Sequence, residues 1–164
     1  MSGARAKYPS LLFLLPVLAG CLATGSRTAG RHPFWPGSIS TPDGYRASEE
    51  QLRTKVVLVV VFGLDTPVSP RLLVQLQNLY VQYRQQGFLV VGYAVDTADE
   101  LLAPYCRGLG VEFPVVAVGR EMSEAIKVVP QLHLFGRGGT HAGTWIGLPD
   151  PNALSGLVER LLNR

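Results

Sequence analysis

VVLVVVFGLDTPVSPRLLVQLQNLYVQYRQQGFLVVGYAV, residues 56–95, sets two apolar runs on either side of one amphipathic stretch, and that order decides the fold. Residues 56–62 are continuously apolar and valine-rich, the pattern of a strand covered on both faces in the middle of a sheet. Over residues 71–86, Leu72, Leu73, Leu76, Leu79, Tyr80 and Tyr83 form one helical stripe opposite Gln75, Gln77, Gln82, Arg84 and Gln85. Ser69 is placed to cap this helix, Pro70 to occupy its first turn and Gly87 to end it. Residues 88–95 read as the next strand, so the unit is βαβ and predicts a right-handed parallel crossover.

Downstream, Thr97 with Glu100 predicts a capping box opening a helix that Pro104 kinks or splits. A short strand over 113–118, a short helix over 121–127 and a strand over 131–135 follow. The glycine-rich turn 136–139 then leads to a hairpin partner over 140–146. Asp150 and Pro151 supply an N-cap and first-turn proline for a last helix with Leu154, Leu157, Val158, Leu161 and Leu162 on one stripe. Strand and helix alternate and then a hairpin intervenes, so the class is α/β with a mixed central sheet flanked by helices.

Upstream, residues 1–10 hold Arg5 and Lys7 and no acid, residues 11–20 read LLFLLPVLAG, and Cys21 follows. A basic start, a short apolar core and small residues before a cleavage point make a signal peptide over 1–20. Leu18-Ala19-Gly20-Cys21 resembles the lipobox of bacterial lipoproteins, which implies that Cys21 is alkylated by diacylglycerol and becomes the first residue. Two or three acyl chains anchor stably at about 0.8 kcal/mol per buried methylene. The competing reading is an ordinary secretory signal with Cys21 free to pair with Cys106. Residues 21–37 lack periodicity and read as a flexible tether, within which Phe34 and Trp35 are placed to dock on the domain. The domain itself spans 38–164.

The chain has 164 residues, 47% hydrophobic and 16% charged, which excludes a disordered or collagen-like polymer and suits one domain. Of its 15 cationic residues two lie in the signal segment, leaving near balance with 12 acids, so no footprint for nucleic acid exists. Two cysteines are too few for a disulfide scaffold or a four-cysteine metal site.

The layout resembles the thioredoxin-like fold of the TlpA/ResA type, membrane-tethered thiol-disulfide oxidoreductases of bacterial envelopes. Three stretches carry the resemblance. PDGYRASEEQLRTKVVLVVVF, residues 42–62, is similar to the family's lead-in hairpin, short helix and first central strand. YVQYRQQGFLVVGYAVD, residues 80–96, is similar to its helix end, loop and second central strand. Val128-Val129-Pro130 before QLHLF, with GRGG after it, resembles the family's cis-proline and following hairpin.

Where that family carries CxxC, this chain reads FGLDTPVSPR, residues 62–71, and alignment on Phe62 and Arg71 puts Pro67 and Pro70 at the two cysteine positions. Dithiol exchange needs a thiolate to attack and a second thiol to resolve the mixed disulfide. Proline supplies neither, so Pro67, Val68, Ser69 and Pro70 form a degenerate site with no catalytic residue. Ser69 is the nearest hydroxyl but lacks a base, and capping is its expected role. The resemblance implies that Val129 and Pro130 line a groove with Gly63, Leu64, Asp65 and Thr66, able to take an extended peptide through main-chain hydrogen bonds. Against that stands a cis bond that only completes a turn.

Cys106 is the candidate reactive thiol, set against a buried small hydrophobe among Leu101, Leu102, Tyr105 and Leu109. His32, His133 and His141 are far apart in sequence and no ligand spacing joins them, so no metal and no cofactor is expected; His133 alternates with Leu132 and Leu134 and points away from them. The functional expectation is a lipid-anchored envelope protein, facing the periplasm or exterior, whose domain binds a protein or peptide partner without redox catalysis. The alternatives are a thiol-disulfide oxidoreductase or single-thiol protein acting through Cys106, and a purely structural domain.

Overall fold

A computed structural model describes residues 32–164; the signal segment 1–20, Cys21 and the tether up to residue 31 lie outside the described residues. In chain order the elements are β1 (Ile39–Ser40), β2 (Arg46–Ala47), α1 (Glu49–Arg53), β3 (Val56–Gly63), α2 (Ser69–Tyr83), β4 (Phe88–Val95), α3 (Asp99–Gly108), β5 (Val115–Ala117), α4 (Arg120–Ala125), β6 (Gln131–Phe135), β7 (His141–Ile146) and α5 (Pro151–Leu162). β1 and β2 form a small antiparallel ribbon, and the main sheet has the order β5-β4-β3-β6-β7. β4 pairs in parallel with β3 and β5, and β6 pairs antiparallel with β3 and β7. None of the described helices is long and apolar enough to cross a membrane.

β3 lies in the centre because every one of its residues is buried and its side chains serve both faces. Val56, Leu58, Val60 and Phe62 pack with Leu72, Leu73 and Leu76 of α2 and Leu154 and Val158 of α5. Val57, Val59 and Val61 face the other way and pack with Trp35, Ile39, Leu52 and Phe135. Each such side chain contributes roughly 1.5–3 kcal/mol on leaving water, so a strand built only of them holds both layers. Trp35 packs edge-on against Phe135, 5.2 Å between ring centres, with the Arg53 guanidinium 5.9 Å from the indole centre. Gly139 makes room for that indole: at φ +80 it adopts a backbone few side chains tolerate, and a Cβ there would lie 3.1 Å from the Trp35 ring.

Local helix starts differ from expectation at two places. The N-cap of α2 is Val68, with no side-chain hydrogen bond, and Ser69 lies inside the first turn. Successive turns, Thr66 N–H to Gly63 C=O at 3.3 Å and Ser69 N–H to Thr66 C=O at 2.9 Å, wind the loop into the helix and carry Ser69 past the cap position. Likewise α3 opens at Ala98 without a side-chain cap, so Thr97 and Glu100 form no capping box. Its first turn closes on the Ala98 carbonyl, and Asp99 and Glu100 there suit the positive end of the helix. Pro104 does not split α3, because Glu100, whose carbonyl loses its donor, lies on the exposed side where water reaches it. The strand expected over 113–118 is cut to β5, since Phe113 and Pro114 are the entry to it and the Pro114 carbonyl accepts from Gly92 N–H at 2.8 Å.

Asp150 caps α5 as expected, accepting from Ala153 N–H at 2.8 Å. At the end of the sheet where β3 begins, Arg137 gathers three chain carbonyls. Its guanidinium donates to Leu162 C=O at 2.8 Å, Thr54 C=O at 3.3 Å and Gln86 C=O at 3.4 Å, each from the closing turn of a helix. Opposite it, at the end where β3 stops, lies the loop 63–68.

Candidate functional site

Two segments meet where β3 ends. Gly63 is buried, and a Cβ built on it would lie 2.9 Å from Asp65 Oδ1, 3.0 Å from Thr66 Oγ1 and 3.8 Å from Val129 Cγ2. The loop therefore folds back over Gly63 and brings residues 63–66 beside Val129. The Val129–Pro130 peptide is cis. Pro130 is buried and its carbonyl accepts from Gly147 N–H at 2.9 Å, while Val129 is half-buried and packs on the cluster holding Val59 and Val61. Pro67 and Val68 are exposed on one side and Val128 on the other, giving the rim an apolar part beside the exposed Asp65 and Lys127.

At this spot the amino end of α2 offers no nucleophile. Pro67 and Pro70 carry no ionisable proton. Ser69 Oγ is fully buried and has no hydrogen-bond partner among the described residues. A buried hydroxyl without a partner costs about 1–3 kcal/mol. Ser69→Ala is therefore expected to raise stability by about 1 kcal/mol in urea denaturation; a loss of that size would mean that the hydroxyl is bonded after all.

Cys106 lies in α3, away from that loop, buried in the cluster with Leu102 and Phe113. Burial pushes its thiol up to about 11, so at neutral pH it is protonated. It lines a cavity of about 490 Å³ together with Leu102, Ala103, Phe113 and Val115. Charged side chains, Arg107 among them, line the same cavity, but burial alone sets the thiol, and among the described residues no cation lowers it as nucleophilic cysteines need.

The histidines come together in a way their separation along the chain conceals. β6 sets His133 opposite Val59, on the face away from Leu132 and Leu134, and β7 sets His141 opposite Phe135. The lead-in segment returns His32 onto the same face. His32 and His141 stack with ring centres 4.4 Å apart, and His133 lies 5.2 Å from His32. One ring nitrogen from each residue lies within 4.8 Å of the other two. Thr144 Oγ1 stands between two of the rings, 2.9 Å from His141 Nε2 and 3.2 Å from His133 Nδ1, and Gln131 Oε1 lies 3.1 Å from His133 Nε2. Phe34 stacks on His133 at 4.2 Å. Burial, followed by the neighbouring His32 and His141, pushes His133 down to about 4; burial and then His141 lower His32. Alternation along β6 and hairpin pairing with β7 could have joined His133 to His141, but nothing in the sequence signals the return of His32.

No family model matches the chain, and no curated protein does. Solved structures do. A thiol:disulfide interchange protein of the thioredoxin family from Chlorobium tepidum superposes with TM-score 0.68 at 22% identity, over 76% of this chain and 92% of that one. A thiol-disulfide isomerase from Corynebacterium glutamicum gives 0.68 at 22%, over 80% and 98%. A secreted disulfide oxidoreductase of Mycobacterium tuberculosis, homologous to E. coli DsbE, gives 0.64 at 15%, over 76% and 95%. The thioredoxin-like fold expected from the resemblance is thus the fold of this chain.

Proposed function

We propose that the chain is a lipid-anchored protein of the bacterial envelope whose thioredoxin-like domain has lost the redox CxxC and serves as a non-catalytic binding module. The observation that carries this reading is the sulfur-free amino end of α2 lying beside Val129; alignment on Phe62 and Arg71 puts Pro67 and Pro70 at the dithiol positions. Residues 63–66 with Val129 and Pro130 are the surface assigned to an extended peptide of a protein partner. Main-chain hydrogen bonds supply its affinity and the apolar rim of Val68 and Val128 its selectivity. Anchoring rests on the basic and apolar segment ending in Leu18-Ala19-Gly20-Cys21. The secreted similar structure supports placement on the outer side of a membrane.

Reduction of insulin disulfides by the full chain, with dithiothreitol as electron donor, tests the reading. Wild type and Cys106→Ser are both expected to run at the uncatalysed rate. Turnover that survives Cys106→Ser would overturn the non-catalytic assignment, and turnover lost on that replacement would make Cys106 the reacting thiol. The intact mass of the membrane-extracted protein should carry acyl chains on Cys21, and Cys21→Ser should release it into the soluble fraction.

A further inference from the structure

We infer that His32, His133 and His141 form a three-histidine site for a divalent transition ion of the zinc or copper class, with its fourth position open to solvent. Separation along the chain was the ground for expecting no metal, and the fold removes it.

Three separate segments supply the ligands. His133 is buried on β6, His32 is half-buried in the lead-in, and His141 is exposed on the edge strand β7. Tetrahedral coordination at about 2.0–2.1 Å from each nitrogen places the nitrogens roughly 3.4 Å apart. The three donors already lie within 4.8 Å of one another, and the exposed His141 ring closes the remainder by exchanging its contact with Thr144 Oγ1 for the ion.

The donor set selects the ion. Three imidazoles without carboxylate or thiolate suit zinc or copper and disfavour calcium and magnesium, which take oxygen. Gln131 Oε1 at His133 Nε2 is the outer partner that fixes the ring and leaves Nδ1 for the ion. Thr144 Oγ1, 3.2 Å from that Nδ1, holds the place when the ion is absent. Exposure of His141 leaves one direction uncovered, so water or a side chain of another molecule completes the shell.

The site lies across the sheet from the α2 core and is independent of the peptide-binding reading. The test uses the full chain without an affinity tag, titrated calorimetrically with zinc chloride and with copper sulfate. The chain has three histidines in all, so any imidazole coordination must come from these residues. One equivalent should bind, and the copper signal in electron paramagnetic resonance should carry splitting from several nitrogens. His141→Ala and His32→Ala should each lower affinity by about 10–100-fold, the loss typical of a damaged metal shell. Both residues are accessible enough for the fold to survive, which circular dichroism checks; His133→Ala is left out because His133 is buried. Failure to bind either ion at about millimolar concentration, or binding unchanged in both variants, would overturn the site.

Discussion

Phe62→Ala is expected to destabilise the protein by about 3–5 kcal/mol, read as a lower urea midpoint with little change in slope. The ring is fully buried at the last core position of β3. Its Cε1 lies 3.3 Å from where a Cβ on Gly92 would be, so the ring occupies space that the neighbouring strand leaves vacant. Removing it opens a cavity that β4 has no side chain at residue 92 to fill. Single domains are stable by only about 5–15 kcal/mol, so this substitution takes a large share. Phe62→Leu should cost much less, because most of the volume stays. A loss under about 1 kcal/mol for Phe62→Ala would contradict the packing of the ring between β3 and β4.

The reverse change, filling the space at Gly92, should also destabilise. A Cβ at residue 92 would stand 2.9 Å from both methyls of Val115 and 3.3 Å from the Phe62 ring. Gly92→Val is expected to cost about 1–3 kcal/mol through overpacking. That outweighs the gain of up to about 1 kcal/mol that a branched side chain brings to a strand. The obstacle is specific, so the cost should shrink when Val115 is also cut to Ala, and urea denaturation of the four proteins of this double-mutant cycle measures the coupling. Equal costs in both backgrounds would place the clash elsewhere.

The parts of the fold that were legible in the sequence are those whose pattern is imposed by burial. β3 is apolar at each residue because both faces are covered, α2 and α5 keep one stripe because one face is, and β6 falls on residues 131–135 as the alternation of Leu132, His133 and Leu134 indicates. Helix starts were less legible, since a cap depends on the backbone angles of the preceding loop. Ser69 and Thr97 have capping side chains, but the loops deliver Val68 and Ala98 to the cap positions. In the candidate site the loop 63–66 and Val129 were placed together by resemblance, and the close approach at Gly63 agrees with it. The histidine cluster was invisible for another reason: it joins a lead-in segment to two strands more than a hundred residues later, and no local spacing encodes that contact.

Arg137 gives the molecule two unlike poles. At one, a single cation ties the tails of three helical turns, so the strand entries there cannot separate without stripping three carbonyls of their donor. At the other, the loop 63–68 is held by short-range turns and by the packing of Leu64 on the core. Resistance to pulling the strand entries apart is thereby concentrated at the pole where Arg137 sits.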